Sequence, residues 1–254
     1  MNRNIKVAVA QMNSHVGSID YNLRKIIKFI NLGKNKKVDL LCFPELALVG
    51  YPPEDLLLSK NFLKMVELAV KKIQKKDKKI SYIVGYPKLI EGKLYNVAGV
   101  FIHGELKYEY KKIRLPNYGV FDEQRYFKSG IEPLMFKLKN RSIYLTICED
   151  IWDDFMISPD ISKKDSPDLL INLSASPFNI TKQNDRLKLL GNIARKNNIE
   201  VVYSNLVGGQ DELVFDGNSF FLDSEGKMIS KAGEFNEELK VQTLNYKTKY
   251  KKTI

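Results

Sequence analysis

The sequence contains few of the residues that metal sites and disulfide frameworks require. Its 254 residues include only two cysteines and two histidines. No paired Cys/His spacing typical of a zinc site is present, and two cysteines cannot build a disulfide framework. A histidine-based catalytic triad would depend on His15 in a polar loop or on His103 beside a glycine. We therefore predict no metal site and no catalytic histidine.

Long apolar segments are also missing. No apolar run approaches the roughly 20 residues that span a bilayer. The start, Met1-Asn2-Arg3-Asn4, continues directly into the strand-like segment 5–10, without the longer apolar region and cleavage site of a secretory signal. These absences predict a cytoplasmic protein that does not enter a membrane.

The charge is unbalanced, because 41 Lys and Arg residues against 30 Asp and Glu residues give a formal net charge of +11. A basic protein raises the hypothesis of nucleic-acid binding. The lysines, however, are spread over predicted helices and loops, without interleaved aromatic residues or a recognisable reading motif. We favour a solvated surface and expect no nucleic-acid partner. A content of 44% hydrophobic and 28% charged residues suits a soluble domain with a sizeable core.

Short apolar strands alternate with amphipathic helices along the chain. A strand is predicted at 5–11, and a helix follows that is capped by Asp20 and stopped by Gly33. A second helix is predicted at 61–76 and a third at 181–197. Further strands are predicted at 38–43, 80–85, 97–102, 106–110, 135–138, 142–147, 168–173, 201–205, 219–223 and 227–230. Without any repeat or linker, this pattern predicts one α/β domain with a mixed sheet and helices on its faces.

Three reactive side chains lie at or just beyond the ends of predicted strands, where open α/β folds usually assemble their ligand sites. Glu45 follows the strand that Pro44 ends, and it is a candidate general base. Lys112 lies in a basic run that closes another strand and is a candidate oxyanion partner. Cys148 ends a third strand and precedes two acids, so its thiol needs a base or a cation to ionise. Taken singly, these residues also fit a capping carboxylate, a basic surface turn and a packing cysteine.

These three residues, in this order, resemble the Glu-Lys-Cys triad of the nitrilase, or carbon–nitrogen hydrolase, superfamily. The resemblance covers roughly residues 5–230, and its longer runs are similar to one branch, the glutamine amidase domains of glutamine-dependent NAD synthetases. The runs that carry it span residues 43–57, 115–127, 147–152 and 172–178. Runs of this length are far more specific than a triad.

The resemblance implies an αββα sandwich with two mixed sheets flanked by helices. It would occupy residues 1–245, and residues 246–254 would form a tail or the start of a linker. The implied reaction is hydrolysis of L-glutamine to glutamate and ammonia through a thioester on Cys148, with Glu45 as the base. Lys112 and the backbone N–H of Glu149 would hold the oxyanion, and no metal or organic cofactor would be needed.

The resemblance also implies a set of substrate-binding residues. In chain order they are Tyr51, Tyr118, Phe121, Glu149, Trp152, Ser176 and Arg186. The first three are expected to wall the pocket. Glu149 and Ser176 would contact the α-amino group of glutamine, and Arg186 would hold its α-carboxylate.

The sequence departs from this branch in one respect. It has no match to the Ser-Gly-Gly-x-Asp-Ser phosphate loop of the synthetase domain, where ATP and Mg²⁺ would bind. That domain is either lost or cut away, or it is a separate partner that receives the ammonia, or the chain is a free-standing amidase. The branch also implies a homo-oligomer. Two alternatives remain open, namely an amidase acting on another small amide and a non-enzymatic assembly scaffold.

Overall fold

The computed structural model describes residues 4–152 and 167–245. The strands are β1 (Ile5–Gln11), β2 (Leu40–Cys42), β3 (Ser81–Ile90), β4 (Lys93–Ile102), β5 (Glu105–Lys111), β6 (Leu134–Leu138), β7 (Arg141–Ile147), β8 (Leu169–Ser174), β9 (Glu200–Asn205), β10 (Val207–Gln210), β11 (Leu213–Asp216), β12 (Phe220–Leu222), β13 (Met228–Lys231) and β14 (Glu238–Leu244). The helices are α1 (Ile19–Asn35), α2 (Lys60–Gln74), the short α3 (Glu123–Tyr126) and α4 (Lys182–Asn197). Two 3₁₀ turns cover Glu54–Leu58 and Cys148–Ile151.

The strands form two six-stranded mixed sheets. The first has the order β14-β1-β2-β3-β4-β5 and the second the order β13-β12-β9-β8-β7-β6. In the first sheet β1, β2 and β3 are parallel, and in the second β7, β8 and β9 are parallel. The outer pairs, such as β1 with β14 and β6 with β7, are antiparallel. The expected αββα sandwich with two mixed sheets is confirmed, whereas the single mixed sheet predicted from strand patterns alone is wrong.

The strands at the centre of both sheets are apolar on both faces, because each sheet packs against helices on one face and against the other sheet on its second face. Side chains alternate along β1, so Val7 and Val9 join the layer between the sheets while Ala8 and Ala10 face the helices. The layer between the sheets also contains Ile83 from the first sheet and apolar side chains of β7 and β8 from the second. Helices α1 and α2 cover the first sheet, and α4 covers the second.

The predicted ends of α1 differ from the observed ones. The helix begins after Ser18, and Asp20 lies inside its first turn, where a carboxylate stabilises the helix dipole. Gly33 does not stop the helix, which continues to Asn35. Gly33 is buried, and a Cβ atom added there would lie 3.5 Å from side-chain atoms of the core. A methyl group at this position would thus make ordinary van der Waals contacts, so the site accepts a small residue.

Strand β14 forms one edge of the first sheet. Strand β14 pairs with β1 over seven residues, from Ile5 opposite Leu244 to Gln11 opposite Glu238. The fold thus extends to Leu244, and the predicted tail at 246–254 lies outside the described residues. Within the described residues no helix is long and apolar enough to span a membrane.

Candidate active site

The three residues of the predicted triad lie at strand ends in two different sheets. Glu45 follows β2 and Lys112 directly follows β5 in the first sheet, while Cys148 directly follows β7 in the second. All three are buried, with exposed fractions of 1%, 1% and 7%. The charges of Glu45 and Lys112 both act on the Cys148 thiol, so the fold brings the triad together.

Lys112 links two buried carboxylates. Its Nζ atom lies 2.7 Å from Oε1 of Glu45 and 2.7 Å from Oε1 of Glu123. Glu45 is fixed further by the Asn96 side chain, whose Nδ2 donates to Oε1 at 2.8 Å. The backbone N–H of Ala175, which follows β8, donates to Oε2 of Glu45 at 3.0 Å. The carboxylate of Glu45 is thereby held by groups from both sheets.

Burial and charge set the ionisation of this cluster. Burial opposes the charge of Lys112, but the two carboxylates outweigh it and raise the pKa of the amine well above its usual value. Burial raises the pKa of Glu123 to about 7, against the lowering effect of Lys112. Burial and the Glu45 charge raise the pKa of the Cys148 thiol, which Lys112 only partly opposes. The resting cysteine is therefore a thiol that needs a base.

The backbone of Cys148 adopts an unusual conformation, with a φ of +42°. Non-glycine residues rarely occupy this left-handed region, and a cost of about 1–3 kcal/mol is borne by the surrounding structure. The Asn172 side chain donates to the carbonyl of Cys148 at 3.4 Å, which ties the turn to β8. The sharp turn directs the chain away from β7 at the cysteine, as expected of a strand-end nucleophile.

Asp150 connects the 148–151 turn with the segment that carries Lys112. Its buried carboxylate accepts four hydrogen bonds, from the Tyr110 hydroxyl at 2.7 Å and from the backbone N–H groups of Ile113 at 3.2 Å, Arg114 at 2.7 Å and Ile147 at 2.9 Å. Two of these donors directly follow Lys112 in the chain. One carboxylate therefore fixes both the lysine segment and the cysteine turn.

The three aromatic residues predicted to wall a pocket form one contact series. The Tyr51 hydroxyl donates to Oε1 of Glu123 at 2.8 Å, and its ring lies 6.4 Å from that of Phe121. The Phe121 ring lies 5.6 Å from that of Tyr118, whose hydroxyl donates to Oε1 of Glu149 at 2.9 Å. The series runs from the buried cluster to Tyr118, which is 57% exposed. Its arrangement fits a wall that leads from the surface to the cluster.

Ser176 lies in the loop 175–178, and Arg186 of α4 binds this loop. The Arg186 guanidinium donates to the carboxylate of Asp216, to the hydroxyl and carbonyl of Ser176 and to the carbonyl of Pro177. Arg186 is 1% exposed. In this arrangement the guanidinium holds the loop, and its direct contact with a substrate carboxylate stays a prediction.

Trp152 lies at the C-terminal end of the 148–151 turn. Its backbone N–H donates to the carbonyl of Glu149 at 3.0 Å, and its side chain is 37% exposed. The Nζ atom of Lys182 lies 4.1 Å from the ring centroid, which is a cation–π contact. Trp152, predicted to bind substrate, is thus partly exposed close to the cysteine in the chain, and the Lys182 ammonium lies over its ring.

Sequence reasoning missed the residues that support the triad, namely Asn96, Glu123, Asp150 and Asp216. Glu123 and Asp150 lie inside runs 115–127 and 147–152, so a buried acid within a matched run was an available signal. Asn96 lies inside β4, and Asp216 pairs with an arginine 30 positions away. Such long-range partners leave no local pattern in a sequence.

The arrangement provides a nucleophile, a base and a cation in a buried setting. Within 4–152 and 167–245, no group of three or more His, Cys, Asp or Glu residues is placed to hold a metal ion. Glu45 is a candidate to accept a proton, and the Lys112 ammonium is a candidate to stabilise developing negative charge. This set suits acyl transfer through a thiol.

Comparisons with known proteins agree with this geometry. Residues 6–250 match the profile of the carbon–nitrogen hydrolase family. The glutamine-dependent NAD⁺ synthetase of Thermotoga maritima is 41% identical over 239 residues, which cover 93% of this chain and 41% of that protein. The enzyme of the same name from Acinetobacter baylyi is 38% identical, with 98% and 46% covered. The chain thus spans less than half the length of these relatives.

Solved structures give the same result. The glutamine-dependent NAD⁺ synthetase of Acinetobacter baumannii superposes with a TM-score of 0.91 at 37% identity, covering 95% of this chain and 46% of that one. An amidase from Nesterenkonia sp. superposes with a TM-score of 0.85 at 23% identity, covering 96% and 91%, and shows the shared fold. By fold, by sequence and by extent of the match, this chain belongs to the carbon–nitrogen hydrolase family.

Proposed function

We propose that this chain is a cysteine-dependent amidase that hydrolyses L-glutamine to L-glutamate and ammonia. The observation that carries the proposal is the buried Lys112, held at 2.7 Å from Glu45 and from Glu123 and acting on the Cys148 thiol. The names of the relatives, which are glutamine-dependent synthetases, support glutamine as the amide.

In the first half of the proposed reaction, Glu45 takes the thiol proton as the Cys148 sulfur attacks the side-chain amide carbon. A bond forms between sulfur and carbon, and the carbonyl oxygen becomes an oxyanion. Lys112 and the backbone N–H of Glu149 would stabilise that charge. Glu45 then gives its proton to the leaving nitrogen, the carbon–nitrogen bond breaks, and ammonia leaves a thioester.

In the second half, water replaces ammonia at the thioester carbon. Glu45 takes a proton from the water while the water oxygen attacks the thioester carbon. Lys112 and the backbone N–H of Glu149 would again stabilise the oxyanion. The carbon–sulfur bond breaks, the proton returns to the sulfur of Cys148, and glutamate is released. The scheme needs no metal ion or organic cofactor.

The proposal is tested by ammonia release from L-glutamine. We expect Cys148→Ala to abolish the activity, because the thiol forms the intermediate. Cys42→Ala is the matched control, since Cys42 is fully buried in β2 among packing residues. That variant should unfold somewhat more easily but keep its turnover. Equal ammonia release by Cys148→Ala and the wild-type chain would contradict the mechanism.

We further propose that the ammonia is delivered for NAD synthesis from deamido-NAD by a synthetase domain or subunit, where ATP and Mg²⁺ would act. The support is that the synthetase relatives extend over more than twice the length of this chain. A free-standing amidase acting on another small amide is the second candidate. It is supported by the single-domain Nesterenkonia fold, of which this chain covers 91%. Ammonia release from a series of small amides distinguishes the two, and a homo-oligomer remains a prediction.

A further inference from the structure

Three polar side chains form a hydrogen-bonded row on the second sheet, at the carboxyl ends of β7 and β8. They are Thr146 of β7 and Asn172 and Ser174 of β8, and each is 1% exposed or less. Thr146 and Asn172 lie opposite each other in the parallel strand pair. Asn172 shares its face of β8 with Leu170, which packs in the apolar layer beneath α4. Polar groups buried in such a layer need hydrogen-bond partners.

The hydrogen bonds of the row fix the orientation of the Asn172 amide. The Ser174 hydroxyl donates to Oδ1 of Asn172 at 2.7 Å. Nδ2 donates to Oγ1 of Thr146 at 3.0 Å and to the carbonyl of Cys148 at 3.4 Å. The Thr146 hydroxyl in turn donates to the carbonyl of Ile171 at 3.1 Å. Because a backbone carbonyl only accepts, the amide must turn its N–H₂ group towards Cys148.

The carbonyl of Cys148 belongs to the same peptide unit as the backbone N–H of Glu149. The unit is planar and trans, so its C=O and N–H groups point in opposite directions. A donor that holds the carbonyl therefore also fixes the direction of the N–H, which is the proposed oxyanion partner. A hydrogen bond to the carbonyl also polarises the peptide unit and strengthens its N–H as a donor.

The backbone at Cys148 needs this support from outside the turn. Its φ of +42° lies in the left-handed region, which residues with a side chain rarely occupy. Donors to an oxyanion contribute most when they are aimed at it before the charge develops. Asn172 supplies the support from β8, the strand that pairs with β7 up to the residue before the cysteine.

We infer that Asn172, oriented by Ser174, is a positioning residue that aims the backbone N–H of Glu149 at the oxyanion of the reaction. This role deepens the proposed amide hydrolysis and rests on it. Asn172 itself makes no contact with substrate in this role, because its donors hold Thr146 and Cys148. Its contribution belongs to the transition state, where the oxyanion forms, and not to substrate binding.

The first experiment measures kcat and KM for ammonia release from L-glutamine. Asn172→Leu keeps a side chain of similar size but removes both amide donors. We expect kcat to fall about ten- to a hundredfold, less than for the loss of a whole oxyanion donor, with KM within about threefold. Ser174→Ala leaves the donors in place but frees the amide to turn, so kcat should fall by a smaller factor, about two- to tenfold.

Ser204→Ala is the matched control. Ser204 is also fully buried in the second sheet and donates to a cysteine carbonyl at 3.4 Å, but that carbonyl belongs to Cys42 in β2. Removing this bond should cost stability and leave kcat within about twofold. Asn172→Leu and Ser174→Ala with the kcat of Ser204→Ala would overturn the inference, and so would a loss confined to KM.

Alkylation of Cys148 by iodoacetamide separates the position of the N–H from the position of the thiol. The sulfur displaces iodide at a saturated carbon and loses its proton, so no oxyanion forms. In a Cys42→Ala background, Cys148 is the one cysteine that remains. Asn172→Leu should leave the alkylation rate within about threefold, because only the oxyanion partner is affected. A rate that falls by the same factor as kcat would overturn the inference and leave Asn172 as a support of the thiol.

An aldehyde distinguishes failure of the inference from failure of the proposed substrate. When butanal adds to Cys148, a carbon–sulfur bond forms, the thiol proton passes to Glu45, and the carbonyl oxygen becomes the oxyanion. Its dissociation constant, read from protection against iodoacetamide, should rise about tenfold in Asn172→Leu. That rise would support the inference even if the wild-type chain released no ammonia from L-glutamine, which would overturn the proposed substrate alone.

The remaining outcomes of the aldehyde experiment are equally decisive. A dissociation constant that Asn172→Leu leaves unchanged would overturn the inference, whether or not L-glutamine is hydrolysed. If butanal did not protect Cys148 in the wild-type chain, the thiol would not form an oxyanion adduct. The proposed mechanism and the role of Asn172 would then be overturned together.

Discussion

Lys112 compensates the charges of two buried carboxylates at once. With Glu45 ionised as the proposed base, a second full negative charge on Glu123 leaves the cluster with one more anion than cation. Burial penalises that excess, and accordingly the pKa of Glu123 is raised to about 7. A proton on Glu123 therefore removes this excess of negative charge beside Lys112.

This balance predicts a pH-dependent stability. The pKa of Glu123 is about 7 in the folded state, above its ordinary value of 4.5. The carboxyl group therefore binds its proton more tightly in the folded state and contributes its full stabilisation below pH 4.5. That contribution is lost as pH rises through 7, by an amount on the order of 3 kcal/mol. We expect the wild-type chain to lose free energy of unfolding between pH 4.5 and 8, and Glu123→Gln to lose distinctly less. Urea titrations across this range measure the difference, and parallel pH profiles for the two proteins would contradict the assignment.

At the scale of elements, the loops after β5 and β7 act as one unit because Asp150 binds both. Replacing it with asparagine sets an amide N–H₂ group against backbone N–H donors, so at least one of the four hydrogen bonds is lost. We expect Asp150→Asn to reduce stability by about 1–3 kcal/mol. It should also lower kcat for ammonia release, because the relative position of Lys112 and Cys148 is relaxed.

A matched variant separates this effect from general destabilisation. Asp168 is also buried, and its carboxylate accepts the N–H of Ser142 at 2.9 Å, at the opposite end of β7. Asp168→Asn alters a buried carboxylate at the other end of the strand and should leave kcat within about twofold at a temperature where both variants are folded. The prediction for Asp150 does not survive if the two variants lose kcat to the same extent.

The elements that the sequence predicts well are those with a strong local pattern. The predicted strand 5–11 coincides with β1, and the predicted helix 181–197 is α4 within one residue. The hairpin β10–β11 and strand β14 were missed, because β10 and β14 consist largely of glycine and polar residues and the apolar run of β11 is only three residues long. Their place in the fold depends on partners far along the chain, as β14 does on β1.

Site prediction had the same limit. Glu45 and Cys148 each follow an apolar run, and Lys112 follows the alternating strand β5, so the sequence makes all three strand ends visible. The role assigned to Arg186 stays a prediction, and its ion pair with Asp216 is a tertiary contact that the sequence does not show. A matched motif identifies which residue types recur at a site. Whether such a residue is free to bind a ligand depends on its hydrogen-bond partners, which tertiary packing determines.

At the scale of the whole molecule, the candidate site exists only where two sheets meet. Glu45 and Lys112 belong to the first sheet and Cys148 to the second, and the apolar layer between the sheets sets their separation. Protein interiors are close-packed, so a void in that layer shifts its walls. The catalytic distances should therefore depend on packing between the sheets more than on packing of the outer helices.

Two isoleucines test this dependence. Ile171 of β8 lies in the layer between the sheets, and Ile26 of α1 lies between the first sheet and its helices; both are fully buried. Each change to alanine should cost about 2–5 kcal/mol of stability. We expect Ile171→Ala to lower kcat/KM for ammonia release several-fold more than Ile26→Ala, measured where both are folded by circular dichroism. Equal losses of kcat/KM in the two variants would contradict this expectation. A void on the helix side of the first sheet would then disturb the site as much as a void between the sheets.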